Sequence, residues 1–238
     1  MLDERVAALA AEPRSAAVIL DVDGTLAPIV PRPEDARVPD VTRRELRRLV
    51  DRYRLVACLS GRTSGDARQI VGVDGIVYVG SHGLELEPEA DRWRDRLRGF
   101  LATVAWPVED KGLTASFHFR DAPDEAAARV ELEEVATRAQ AAGLRARFGR
   151  KVLELRPPVD ADKGTAVAHL TASEDITRGL YAGDDTTDLD AFRGLRESGL
   201  ELAVCVAVSS AEGPRELVDQ ADVVLEGPDA MLELLRRL

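Results

Sequence analysis

Aromatic side chains are nearly missing from this chain: five Phe, two Trp and three Tyr make up 4% of its 238 residues. A core built here has to be filled mainly by Leu, Val and Ala. Cysteine is as sparse. Cys58 and Cys205 each sit within an apolar run, residues 55–59 and 202–208, which reads as two buried free thiols and fits a reducing, cytoplasmic setting. No stretch of about eighteen apolar residues occurs, so no transmembrane helix is expected. The opening Met1-Leu2-Asp3-Glu4-Arg5 carries acids and leads into no apolar run of secretory-signal length. The expectation is a soluble protein that is not exported.

Positive charge is in deficit: 32 Lys and Arg stand against 43 Asp and Glu, a formal net charge of −11. That balance argues against a nucleic-acid binder or a surface that adheres to anionic lipid. It still allows a small anion held by a few cations inside a cleft. His82, His118 and His169 have no spacing suited to a metal and read as structural. There is no internal repeat and no low-complexity segment.

What is present is organised around Val18-Ile19-Leu20-Asp21-Val22-Asp23-Gly24-Thr25-Leu26, an apolar run that ends in two acids. Alternate residues of an extended chain face the same way, so Asp21 and Asp23 can point at one place. Residues 55–59 repeat the pattern and end in Ser60-Gly61-Arg62, and residues 77–79 end in Gly80-Ser81-His82-Gly83. Helical patterns over 42–53 and 66–70 lie between these strands. Strand and helix alternate again after Pro157-Pro158: a helix opens at Asp162-Lys163-Gly164, and a strand over 179–182 ends in Gly183-Asp184-Asp185. Strands over 202–208 and 223–225 and a final helix over 229–238 follow. This alternation predicts a Rossmann-like α/β core, a doubly wound parallel sheet with its ligand site at the carboxyl edge.

Between the two halves the pattern changes. Helices over 91–104 and 124–141, a strand over 114–119 and a hairpin over 145–155 imply an antiparallel sheet, hence an inserted α+β cap. The expected division is a discontinuous core, 1–84 and 157–238, with the cap at 85–156.

Two acid clusters, Asp21/Asp23 and Asp184/Asp185/Asp188, would converge at one sheet edge. Hard oxygen ligands with room for water suit Mg²⁺ better than zinc. The stretch is no EF-hand, because Leu26 and Arg32 stand where the glycine and the bidentate glutamate belong. Nor does a Gly-x-x-x-x-Gly precede Lys163, which disfavours a P-loop. Lys163 at a helix start would favour a bound phosphate, and Thr25, Ser60 and the backbone at Gly61 could hold its oxygens. A carboxylate can attack phosphorus: Asp21 would be the nucleophile, and Asp23 would protonate the leaving alcohol and then activate water. Taken alone, Ser60 could be a helix cap, and Asp188 either caps the helix near it or supports a metal.

These residues resemble the haloacid dehalogenase superfamily of phosphatases. Asp21-Val22-Asp23-Gly24-Thr25 matches its first motif, Ser60 its second, Lys163 its third and Gly183-Asp184-Asp185-Thr186-Thr187-Asp188 its fourth. The resemblance implies Mg²⁺ held by Asp21, the Asp23 carbonyl and Asp184, with Asp185 and Asp188 behind them. Narrower segments resemble the trehalose-6-phosphate phosphatase family: Ser60-Gly61-Arg62, His82-Gly83-Leu84-Glu85, Glu109-Asp110-Lys111-Gly112-Leu113, Ser116-Phe117-His118-Phe119-Arg120 and Leu153-Glu154-Leu155-Arg156-Pro157. By that resemblance Glu109, Lys111, Arg120 and Glu154 contact the sugar, and His82 and Gly83 join the substrate site; Arg62 is placed there by its position at the cleft edge, against the alternative of a surface ion pair. Two residues depart from the pattern, Ser81 where Asn is expected and Val22 where Tyr is usual. The implied activity is hydrolysis of trehalose 6-phosphate, with a functional link to a trehalose-phosphate synthase. The alternatives are a phosphatase of another sugar phosphate, such as sucrose phosphate or mannosylglycerate phosphate, and a non-catalytic sugar-phosphate sensor or synthase partner.

Overall fold

Ala16 to Leu20 are buried along their whole length, and the first of two compact units is laid on this strand. The computed structural model describes residues 2–149, 151–211 and 213–238, without the side chains of Leu2 and Asp3. The chain runs through α1 (Leu2–Ala11), β1 (Ala16–Leu20), α2 (Asp40–Arg52), β2 (Leu55–Leu59), α3 (Ser64–Val71) and β3 (Val77–Val79). It then enters the second unit and returns at Ala161. The return adds α6 (Lys163–Thr171), β8 (Arg178–Gly183), α7 (Asp188–Glu197), β9 (Leu202–Ser209), α8 (Arg215–Gln220), β10 (Val223–Glu226) and α9 (Gly227–Arg237).

The six strands form one parallel sheet in the order β10-β9-β8-β1-β2-β3. The early strands step to one side of β1 and the late ones to the other. The strand order therefore switches direction between β1 and β8, where an open α/β sheet leaves a crevice at its carboxyl ends. Asp21 follows β1 and Asp184 follows β8, so both acid clusters open onto that crevice. Val18, Leu20, Cys58, Leu180 and Val206 pack with Leu46 and Leu49 of α2 and Leu234 and Leu235 of α9. Tyr181 packs its ring edge-on against Phe192 of α7. Both cysteines are buried and unpaired, as their apolar surroundings predict.

α6 places Lys163, and its start is fixed twice. Asp162 caps it by accepting from Thr165 N at 2.8 Å, while Thr165 Oγ1 donates to Asp162 O at 2.9 Å and accepts from Asp162 N at 3.1 Å. α6 also lies backbone to backbone on α7. A Cβ built on Gly194 would stand 2.3 Å from Gly164 O, and one on Gly164 would stand 2.4 Å from Asp190 O.

The second unit, Leu84–Asp160, holds α4 (Pro88–Leu101), β4 (Glu109–Asp110), β5 (Ala115–His118), α5 (Glu125–Ala141), β6 (Arg145–Gly149) and β7 (Val152–Arg156). Its sheet is antiparallel, in the order β4-β5-β7-β6. Phe117, Leu153 and Leu155 pack with Leu97 and Leu101 of α4 and Leu132 and Val135 of α5. Residues 157–160 group with this unit rather than with the core expected from Pro157-Pro158. Arg145 ties them down, donating to Val159 O at 3.3 Å and to Asp160 Oδ1 at 2.5 Å. Leu84 also falls on this side of the division. Among the described residues, no helix is long and apolar enough to cross a membrane.

Gly194→Ala should destabilise the protein by about 1–3 kcal/mol, because the added methyl group meets backbone that cannot swing away. Chemical denaturation followed by circular dichroism measures this, and a cost within about 0.5 kcal/mol of zero would mean that α6 and α7 can separate freely.

Candidate active site

One lysine ties the distant segments together. Lys163 Nζ, 3% exposed, donates to Asp21 Oδ1 at 2.7 Å and to Asp188 Oδ1 at 2.6 Å. Asp188 is 0% exposed and accepts three further bonds: Tyr181 OH at 2.6 Å on Oδ1, and the Asp184 and Asp185 backbone amides at 2.8 Å each on Oδ2. It stands at the first position of α7, where Thr187 is the cap, and its carboxylate turns back to the amides that precede the helix. Thr187, not Asp188, is the helix cap; Asp188 holds Lys163 and the Asp184 loop, behind the acids that could hold a metal.

Asp21, Asp184 and Asp188 each bring a carboxylate oxygen within 4.8 Å of the others. Burial first, then repulsion from Asp188, raises Asp184 to about 7. Burial also raises Asp21 well above the carboxylate range, against the pull of Lys163. Burial works against the Lys163 ammonium, yet the two carboxylates outweigh it and its pKa rises. Three carboxylates with one ammonium leave two negative charges uncompensated if all ionise. An all-oxygen, buried, electron-rich cluster of that kind fits a hard divalent cation, with Asp21 and Asp184 as the carboxylates free to hold it.

Asp23 and Asp185 do not join this cluster. Arg62 takes both oxygens of Asp23, Nε to Oδ2 at 2.6 Å and NH2 to Oδ1 at 2.8 Å. Asp185 is exposed, and its Oδ1 accepts from Thr186 N. Thr25 is buried with its hydroxyl aimed at Asp184 Oδ1, 3.4 Å away. Ser60 is buried after β2, and its Oγ accepts from Arg62 N at 3.2 Å. Loop 80–83 is clasped to this segment by Ser81 N to Arg62 O at 2.7 Å and His82 N to Ser60 O at 3.0 Å.

Three glycines show how closely these parts approach. Gly24, at φ +83°, lies where a Cβ would meet the Asp184 carboxylate at 2.0 Å. At Gly61 it would meet the His82 imidazole at 2.6 Å, and at Gly183 the Asp188 carboxyl carbon at 2.2 Å. Gly83 has a packing role as well, since its Cα faces Asp162 O and Ala166 of α6. Ser81 and His82 have φ of 51° and 54°, a left-handed pair that Asn adopts more readily than Ser. This is the physical reason that Asn suits position 81. Ser81 Oγ is buried and has no hydrogen-bond partner among the described residues.

The remaining candidates lie in the second unit. Glu109 Oε2 is 3.0 Å from His118 Nε2 and 3.5 Å from Lys111 Nζ. Its carboxyl is lowered because bonds to His118 and Lys111 outweigh partial burial. In the sheet register Glu109 lies opposite Ser116, Ser116 opposite Glu154, and Glu154 opposite Arg147. Arg120 is exposed in the turn after β5.

Residues 19–223 match the trehalose-phosphatase family. The chain belongs to that family. Every candidate from Asp21 to Asp188 falls within the matched stretch of the trehalose-phosphatase family. A trehalose-phosphate phosphatase of Mycobacterium avium is 36% identical over 251 residues, which cover 94% of this chain and 62% of that protein. An uncharacterized glycosyl hydrolase of Mycobacterium tuberculosis is 36% identical over 218 residues, covering 80% of this chain and 16% of that protein. The chain thus spans less than two thirds of the length of these relatives. A solved trehalose-6-phosphate phosphatase of Aspergillus fumigatus shares the fold with a TM-score of 0.67 at 23% identity, covering 98% of this chain and 95% of that one.

Two contacts of the site were not foreseen from the sequence. One is the Arg62 grip on Asp23. The other is Tyr181, whose only sequence signal is a hydroxyl-bearing ring within the apolar run that leads to Gly183.

A carboxyl raised in the folded state binds its proton more tightly folded than unfolded. The stability it adds is complete below the unfolded pKa and is lost as pH rises through the folded one. With Asp184 raised from 3.8 to about 7, the metal-free protein should lose thermal stability between about pH 4 and pH 7. Added Mg²⁺ should raise the melting temperature more at about pH 8 than at about pH 5, because the carboxylates are ionised at the higher pH. A metal-free melting temperature that climbs over that range, or a Mg²⁺ shift independent of pH, would contradict this charge balance.

Proposed function

We propose that this protein is a Mg²⁺-dependent phosphatase that hydrolyses trehalose 6-phosphate to trehalose and phosphate. The observation that carries the reading is the buried Lys163 ammonium shared between Asp21 and Asp188, beside Asp184, at the carboxyl edge of a parallel sheet. Membership of the trehalose-phosphatase family supplies the substrate class.

In the first step an oxygen of Asp21 attacks phosphorus and the bond from phosphorus to the sugar oxygen breaks. Asp23 delivers a proton to that leaving oxygen, so trehalose departs as the alcohol and an aspartyl-phosphate remains. In the second step water attacks phosphorus, Asp23 takes its proton, and the Asp21–phosphorus bond breaks to release phosphate. Lys163 orients Asp21 and, by its charge, favours the ionised form against burial. Asp23 can carry a proton only after Arg62 gives up one of its two oxygens, which frees donors of Arg62 for the substrate. The Ser60 hydroxyl, the Gly61 amide and Thr25 border the phosphate position, with His82 and Gly83 lining its edge. Asp21, the Asp23 carbonyl and Asp184, with Asp185 and Asp188 behind, would hold a divalent cation, which would supply positive charge for the phosphoryl oxygens.

Glu109, Lys111, Arg120 and Glu154 of the second unit select the sugar, since carboxylates and cations together can fix several hydroxyls. The two buried free thiols suit a cytoplasmic enzyme, and a trehalose-phosphate synthase is the reaction partner that supplies its substrate.

Phosphate release measures this directly. Wild type should prefer trehalose 6-phosphate over sucrose phosphate and mannosylglycerate phosphate, and Asp21→Asn or chelation of Mg²⁺ should lower the rate by roughly 10³-fold or more. Equal rates on the three esters would remove trehalose 6-phosphate as the substrate. No turnover on any sugar phosphate would favour a sensor.

A further inference from the structure

Tyr181 is the largest fully buried side chain of the first unit, and its hydroxyl points into the charge cluster without belonging to the steps above. Its position is set from outside the cluster. β8 lies between β1 and β9, where Tyr181 is paired in register with Ile19 and Cys205. The ring is braced by the edge of Phe192, with centroids 6.1 Å apart and planes at 79°. The hydroxyl therefore stands still, and Asp188 is the group that is being placed.

The donors on Asp188 make the consequence specific. Oδ2 is occupied by the Asp184 and Asp185 amides, so Oδ1 alone is left for Lys163 and Tyr181. Lys163 divides its ammonium between that oxygen at 2.6 Å and Asp21 Oδ1 at 2.7 Å. A second donor on Oδ1 takes up part of its charge and fixes its direction. Without the hydroxyl, Oδ1 would turn its full charge on Lys163 and bias the ammonium away from Asp21. We propose that Tyr181 is a positioning residue of the reaction: its hydroxyl, by donating to Asp188, keeps Lys163 shared with Asp21. The inference rests on the phosphatase reading given above.

Hydrolysis of trehalose 6-phosphate and of p-nitrophenyl phosphate by wild type, Tyr181→Phe and Phe192→Leu tests it. Tyr181→Phe keeps the ring and removes one hydrogen bond to a charged group, so kcat should fall roughly tenfold on both esters with KM within about twofold. Phe192→Leu loosens the packing of the same ring but keeps the hydroxyl, so it should lower the melting temperature and cost clearly less kcat than Tyr181→Phe. A kcat for Tyr181→Phe within about twofold of wild type would overturn the proposal. So would an equal kcat loss in Phe192→Leu, or a rise in KM with kcat unchanged. If Tyr181→Phe is recovered only unfolded while Phe192→Leu folds, the hydroxyl is a requirement of folding and the proposal also falls. A wild type inactive on both esters defeats the phosphatase reading itself, which an active wild type beside an unimpaired Tyr181→Phe does not.

Discussion

The burial of one ammonium between two carboxylates is the constraint on which the rest of the core depends. Removing ions from water costs several kcal/mol each, and only close, well-directed partners offset it. Lys163 has such partners at 2.7 and 2.6 Å, but they come from residues 21 and 188 of the chain. The fold must therefore deliver the end of β1, the start of α6 and the start of α7 to one point. Strand order does the first part, because β8 lies directly beside β1. The glycine contact between α6 and α7 does the second, because Gly164 and Gly194 let the two backbones touch. Removing the ammonium would leave the buried carboxylates with no positive partner, so chemistry and stability are coupled here.

Much of this core is legible in the sequence, for a physical reason. A strand buried on both faces must be continuously apolar, so acids at its end mark where it reaches the crevice. Residues 18–21 and 180–184 show the transition plainly, and the expected strands agree with the observed ones to within a residue or two. What depends on side-chain direction is not legible. Arg62 and Asp23 lie 39 residues apart, and nothing in their spacing says that the guanidinium will turn onto the carboxylate. The same holds for Tyr181, whose hydroxyl matters only because Asp188 folds back toward β8. Short elements escaped too: β4 has two residues and α8 six, too few to show a period. Pro157-Pro158 read as a boundary, yet the Arg145 contacts carry the second unit through Asp160.

The second unit follows a different logic. Alternation along β5 and β7 sends Phe117, Leu153 and Leu155 to the helices and leaves Ser116 and Glu154 on the other side. Antiparallel register then sets Glu109, Ser116, Glu154 and Arg147 in a row across four strands. Polar residues in such a row add little stability, so the row is not needed to hold the sheet together. Such a face is suited to recognising a polar, hydroxyl-rich molecule, whereas the buried cluster of the first unit is suited to a hard divalent cation. Family membership and the two chemistries point the same way.

The proposed chemistry turns on Asp21 as the group that attacks phosphorus, and trapping the covalent intermediate tests this most directly. Protein mixed with Mg²⁺ and trehalose 6-phosphate, quenched and treated with borohydride, should carry a reduced side chain at position 21 by peptide mass spectrometry, because an acyl phosphate is reduced where a carboxylate is not. Reduction at position 23 or elsewhere, or full turnover with no reduced residue, would contradict it.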